Sequence, residues 1–226
     1  MKLVCTGKTK NVYELENGHL LLKFKDDATV GEDGKLDPGG NKAGISVAGL
    51  GDSNLRLTEF FFKKIEAIGI PTHFISADIK NSTMTVKTAK IFGKGIEVIC
   101  RIKATGSFIR RYGSYVEDGQ DLPAFVEITL KDDNRGDPLI TKEGLEVLGI
   151  LKPEEYDKLV LLTKKICLFI KGELAKRNAE LYDIKLEFGR CDEEIILIDE
   201  ISSGSMRVYK DGCIVDPLKI AELVLS

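Results

Sequence analysis

Residues 181–202 read LYDIKLEFGRCDEEIILIDEIS. Two apolar-rich runs, Leu181–Phe188 and Glu194–Ile201, flank the polar group Arg190-Cys191-Asp192-Glu193, a pattern that predicts two antiparallel strands around a tight turn. Within them Lys185-Leu186-Glu187 and Asp199-Glu200 place carboxylates on neighbouring strands. A carboxylate on a half-buried strand is costly unless it is paired. Either Glu187 and Asp199 face each other and hold Mg²⁺, which favours a few carboxylate oxygens plus phosphates, or these acids pair with Lys185 or Arg190.

Outward toward the C-terminus, Arg207–Tyr209 and Cys213–Val215 predict a further hairpin around Lys210-Asp211-Gly212, and Pro217 opens a short helix. On the other side, Pro153 with Glu154 and Glu155 starts a helix whose apolar residues Tyr156, Leu159, Leu162, Ile166, Phe169, Ile170 and Leu174 recur at helical spacing to about Arg177. Thr72–Ile79, Thr83–Ala89 and Ile96–Ala104 read as strands, with Lys80-Asn81-Ser82 as a turn. A helix capped by Asp52 or Ser53 carries Leu57, Phe60, Phe61, Ile65 and Ile68 and stops at Gly69 and Pro71. Met1–Cys5, Asn11–Leu15 and His19–Phe24 form an antiparallel meander, its second turn supplied by Asn17-Gly18. Seven glycines and Pro38 between Gly31 and Gly51 predict a long loop.

The 226 residues are 43% hydrophobic and 31% charged, the balance of an ordinary globular chain. With 33 basic and 36 acidic residues the net charge is −3, which excludes a broad nucleic-acid-binding surface and leaves only local anion sites. Five cysteines without a C-x-x-C pair, and two histidines, argue against a disulfide framework or a zinc site and for a reducing compartment. Lys or Glu interrupts every apolar run before a membrane span is reached, and no leader pattern opens the chain; the expectation is a soluble cytoplasmic protein.

Three further segments carry chemistry. In Thr6-Gly7-Lys8-Thr9-Lys10-Asn11-Val12-Tyr13, lysines two apart on a strand share a face and can meet one polyphosphate, while Gly7 lets backbone N–H groups approach it. This is not a P-loop: the first glycine of that motif would fall on Lys2, and a strand follows where a helix should. A strand ending in Gly106-Ser107, with Arg101 before it and Arg110-Arg111 after it, suits a phosphate monoester through forked guanidinium and hydroxyl contacts, or else forms a solvated basic turn. Lys131-Asp132-Asp133-Asn134-Arg135-Gly136-Asp137-Pro138 is a dense polar turn after a strand.

These segments, in order along the chain, resemble the SAICAR synthetase family (phosphoribosylaminoimidazole-succinocarboxamide synthase) of purine biosynthesis. The blocks are GKTKNVYE (7–14), KDDAT (25–29), GIPTHF (69–74), EVICR (97–101), GSFIRRYG (106–113), LKDDNRGDPLI (130–140), YDIKLEFGR (182–190) and DEIS (199–202). The resemblance implies an α+β fold with an antiparallel nucleotide-covering sheet, a larger mixed lobe and an ATP cleft between them. It implies one unit over residues 1–226, with an N-terminal lobe of about 1–100 and a C-terminal lobe of about 101–226. The implied activity is an ATP- and Mg²⁺-dependent ligase that joins carboxyaminoimidazole ribotide to L-aspartate through an acyl phosphate, with small molecules as partners and homo-oligomerisation left open.

Position by position, the resemblance assigns Lys8 and Lys10 to the nucleotide phosphates, and Glu187 and Asp199 to ATP through Mg²⁺. Arg101, Ser107 and Arg207 match the ribotide-binding residues; Lys131, Asp137 and Lys185 match catalytic polar residues around the reacting carboxylate. Three departures stand out. Leu50 occupies the position of a family lysine that Lys42 could replace, Ser203-Gly204 replaces a Pro-Asp pair, and the chain stops soon after Pro217. A small-molecule phosphotransferase, or a paralogous carboxylate-amine ligase with another substrate, is the alternative; a non-catalytic nucleotide binder is disfavoured by the retained acids and lysines.

Overall fold

The structure is a computed structural model that describes residues 1–30 and 42–226. In chain order the strands are β1 (Lys2–Thr6), β2 (Lys10–Glu14), β3 (Leu20–Phe24), β4 (Asp27–Val30), β5 (Lys42–Ser46), β6 (Phe74–Asp78), β7 (Thr83–Val86), β8 (Lys90–Ile91), β9 (Ile96–Lys103), β10 (Asp121–Leu130), β11 (Glu180–Cys191), β12 (Glu194–Ile198), β13 (Met206–Lys210) and β14 (Cys213–Ile214). The helices are α1 (Leu50–Ala67), α2 (Ser107–Tyr112), α3 (Lys142–Val147), α4 (Pro153–Ala175) and α5 (Pro217–Leu225). The α+β class expected from the sequence is what the elements form.

One antiparallel sheet runs β1-β2-β3-β7-β6, and a second runs β10-β9-β11-β13-β14, with β12 and β8 also pairing with β11. β11 is the spine of the second sheet because it is long enough to serve several partners. Its first half pairs with β13 (Asp183↔Arg207) and β9 (Asp183↔Arg101), and its second half with β12 (Glu187↔Ile198). The twofold alternation of strands then sorts its side chains. Leu181, Ile184, Leu186 and Phe188 are buried in the apolar core, as are Val98, Cys100 and Ile102 of β9. α4 covers that face with Leu159, Ile166, Cys167, Ile170 and Leu174, all fully buried. The opposite face keeps Asp183, Lys185 and Glu187 in one row on β11, beside Glu97 and Arg101 on β9.

Three expectations are corrected. The loop from Gly31 to Gly51 is not one loop: residues 31–41 lie outside the described residues, but Lys42–Ser46 pairs with β4 as a two-stranded ribbon. The expected cap at Asp52 or Ser53 is also displaced. α1 begins at Leu50 after Gly49, whose φ of 84° a glycine adopts without strain. Asp26 caps it from outside the helix, accepting from Gly49 N (3.2 Å) and Gly51 N (2.9 Å), while Asp52 pairs with Arg56. The third correction concerns Gly106-Ser107, which opens α2 instead of ending a strand. A Cβ at Gly106 would come within 2.8 Å of the Arg207 guanidinium, so only glycine lets that arginine lie there. Among the described residues no helix is long and apolar enough to cross a membrane.

Candidate active site

All ten side chains singled out in the sequence line two adjoining cavities. The larger, about 430 Å³, takes Lys8, Lys10, Lys131, Glu187 and Asp199; the smaller, about 90 Å³, takes Arg101, Ser107, Asp137 and Arg207. Lys185 borders both, together with Glu97 and Ser205.

The larger cavity is roofed by the turn between β1 and β2. Gly7 N donates to Lys10 O (2.8 Å), and a Cβ on Gly7 would sit 2.8 Å from that oxygen, so the turn closes only around glycine. Lys10 leaves β2 with its side chain buried and its ammonium 2.8 Å from Asp199 Oδ1 and 3.2 Å from Glu200 Oε1. Lys8, on the rim, meets Asp133 at 2.8 Å. On the sheet below, Lys131 Nζ donates to Glu187 Oε1 (2.6 Å) and Lys185 Nζ to Glu97 Oε1 (2.7 Å). The acids therefore do not pair with Lys185 and Arg190, the alternative left open by the sequence. Glu187 and Asp199 are neutralised by lysines from other elements, and Arg190 binds Glu155.

Burial and charge set the ionisation of this cluster. Burial pushes the Asp199 carboxyl upward, but Lys10 and Lys131 outweigh it and hold the group down at about 2. Glu187 is raised, by burial first and then by Asp199, with Lys131 opposing. Glu200 is raised by burial, with Lys10 acting against it. Burial works against the charge on Lys10 and Lys131, yet the surrounding acids raise both. The result is a closely balanced set of opposite charges in a partly dry cleft, where an incoming polyanion can exchange for carboxylates on the lysines.

The smaller cavity is walled by guanidinium groups. Arg101 is only 1% exposed and its donors are engaged internally: Nε and Nη2 to Glu127 Oε1 (3.0 and 2.6 Å), Nη1 to Asp183 Oδ2 (2.8 Å) and Thr105 O (3.3 Å), and Nη2 to Ser107 Oγ (2.8 Å). Arg207 Nη1 donates to the same Asp183 oxygen at 2.7 Å. Arg110 and Arg111 add further positive charge at the wall. Asp137 accepts from Asp132 N (2.8 Å), which fixes the polar turn after β10.

Four further buried polar or charged groups, Glu97, Glu127, Asp183 and His73, were not singled out from the sequence. A signal existed for two of them. Glu97 shares the Arg101 face of β9 and Asp183 the Lys185–Glu187 face of β11, at period two. The departures also have places. Leu50 is buried against the larger cavity, and Ser203 donates through N (3.2 Å) and Oγ (2.7 Å) to Asn54 Oδ1, tying the turn after Asp199 to α1.

Residues 3–215 match the family model for SAICAR synthetase. A phosphoribosylaminoimidazole-succinocarboxamide synthase of Clostridium tetani (strain Massachusetts / E88) is 57% identical over 228 residues, covering 100% of both chains. A SAICAR synthetase (type 2) solved in complex with ADP superposes with a TM-score of 0.83 at 32% identity, covering 94% of this chain and 87% of its own. A phosphoribosylaminoimidazole-succinocarboxamide synthase from Ehrlichia chaffeensis reaches a TM-score of 0.85 at 26% identity, covering 96% of this chain and 90% of its own.

Proposed function

The chain belongs to the SAICAR synthetase family, and we propose that it carries out the family's ligase reaction, ATP-driven joining of carboxyaminoimidazole ribotide to L-aspartate, across the two adjoining cavities. A carboxylate is a poor electrophile, so it must first take the terminal phosphoryl group of ATP; the aspartate amine then attacks the acyl phosphate and expels phosphate. Placement and charge neutralisation supply most of the acceleration.

In this reading Lys8 and Lys10 hold the ATP phosphates from the β1–β2 turn. Arg207 and Ser107 receive the ribotide phosphate in the smaller cavity, and Arg101, its own donors engaged within the protein, orients Ser107 and, through Asp183, Arg207. Lys131, Asp137 and Lys185 sit between and steady the reacting carboxylate. The observation that carries the reading is the shared wall of the two cavities at Lys185. It sets a phosphate-binding turn and an arginine pocket on either side of one lysine. The ADP complex of a structural neighbour supports nucleotide in a fold of this kind.

Glu187 and Asp199 fit Mg²⁺ by donor chemistry: hard carboxylate oxygens, one on β11 and one just past the end of its neighbour β12, few in number, leaving positions for phosphates and water. Bound there, the ion would draw charge from the phosphates and favour in-line transfer. Among the described residues one apolar cluster takes in side chains from Leu22 to Val224, which supports a single catalytic unit, and five free cysteines suit the reducing cytoplasm.

The test is ADP release from purified protein given Mg-ATP and carboxyaminoimidazole ribotide, with and without L-aspartate. Sustained release that requires aspartate, with formation of the succinyl product, is expected. Asp199→Asn should lower turnover by about 10²-fold or more while far-UV circular dichroism stays unchanged; undiminished activity would contradict the assignment.

A further inference from the structure

We infer that His73 is a positioning residue for Asp199, its ring N–H pinning the backbone from which the Asp199 carboxylate enters the cleft. The inference rests on the metal-binding reading of Asp199 given above. Asp199 is the first residue beyond β12 and adopts φ 65°, a left-handed conformation uncommon for a residue with a side chain, though aspartate tolerates it better than most. Its side chain is drawn to Lys10, at 2.8 Å. Its carbonyl oxygen lies 3.2 Å from His73 Nε2. A carbonyl only accepts, so Nε2 carries the proton in this contact.

The imidazole cannot follow a wandering backbone. It is 5% exposed, and its ring lies 5.6 Å from that of Phe62 at 59°. The segment that carries it is latched onto β12: Leu197 N donates to Pro71 O (3.0 Å) and His73 N to Leu197 O (2.9 Å). Thr72 fastens the same segment to α1 by donating to Glu66 Oε1 at 2.6 Å. His73 therefore sits where the first sheet's strand β6 begins and the second sheet's acid strand ends, and its side chain makes the last of three bonds running along β12 to Asp199. Without that bond the peptide after Asp199 is free to rotate out of the left-handed region, and the carboxylate moves with it.

The experiment titrates Mn²⁺ into wild type, His73→Phe and His73→Gln in the presence of ADP, following free Mn²⁺ by electron paramagnetic resonance. It also measures ribotide binding by calorimetry. Phenylalanine keeps the ring volume against Phe62 and removes the donor; glutamine restores a donor. Orienting partners of metal ligands are worth about 10–100-fold in metal affinity. His73→Phe should therefore weaken Mn²⁺ binding by about tenfold or more, His73→Gln should recover most of it, and ribotide affinity should not change in either. If His73→Phe does not fold, His73→Met fills the space without a donor and takes its place. Mn²⁺ affinity unchanged in the donor-free variant, or equally lost in the glutamine variant, overturns the inference while leaving the metal reading intact. Failure of the wild-type chain to bind Mn²⁺ with ADP overturns both.

Discussion

At the scale of single residues, the site is a set of buried charges whose partners come from elsewhere in the chain, and two of them yield direct predictions. Burial holds His73 neutral, at about 4 against an ordinary 6.5. The unfolded chain then takes up a proton between those values that the folded chain refuses, so His73 contributes full stability above about 6.5 and loses it as pH falls toward 4. Urea unfolding of wild type and His73→Phe at pH 7 and pH 4 isolates this residue from other titrating groups. The difference in stability, wild type minus variant, should fall by up to about 3 kcal/mol over that interval; a flat difference would contradict it. Arg101 makes the second case. Arg101→Met removes a buried cation that Glu127 shares with Arg111 and that Asp183 shares with Arg207. Unfolding measurements should register a loss of about 3 kcal/mol, the low end of the cost of breaking a buried pair. The acids Glu187 and Asp199 stood out in the sequence because carboxylates in apolar runs demand explanation, while Lys131, Asp137 and Arg207 were singled out only through the family resemblance. The partners of the acids were not legible, since Lys131 with Glu187 and Lys10 with Asp199 are joined only by the fold.

At the scale of elements, legibility followed the length and regularity of the apolar pattern. α4, β11 and the β2–β3 hairpin announce themselves through helical periodicity, strand alternation and Asn17-Gly18. Other elements depend on tertiary support and carry weaker marks. β5 exists because β4 pairs with it, and its Gly44 reads as loop. α2 is a six-residue helix, too short for its periodicity to register. The start of α1 is the clearest case: its cap is Asp26, far away in sequence, so the local candidates Asp52 and Ser53 mislead. Asp26→Ala should cost about 1 kcal/mol, the usual worth of an N-cap carboxylate, in equilibrium unfolding. A change within error would mean that the N–H groups of Gly49 and Gly51 are satisfied otherwise.

At the scale of the whole molecule, the two sheets meet where opposite charges are held in near balance, and a nucleotide with its metal should shift that balance and lock the sheets together. Saturating Mg-ADP, at about 100 times its dissociation constant, should stabilise the wild-type fold by about 2.7 kcal/mol, and Asp199→Asn should lose most of this gain in thermal unfolding. If the proposed roles hold, bound Mg-nucleotide would exchange these partners: Lys10 would pass from Asp199 and Glu200 to a phosphate, and Lys131 would release Glu187, freeing both acids to hold the ion. A crystal structure of the protein with Mg-ADP examines this exchange directly. The account predicts Glu187 and Asp199 oxygens at roughly 2.1 Å from the ion, with the Lys10 ammonium on a phosphate oxygen. An ion bound elsewhere, with the Lys10–Asp199 contact still at 2.8 Å, would contradict it.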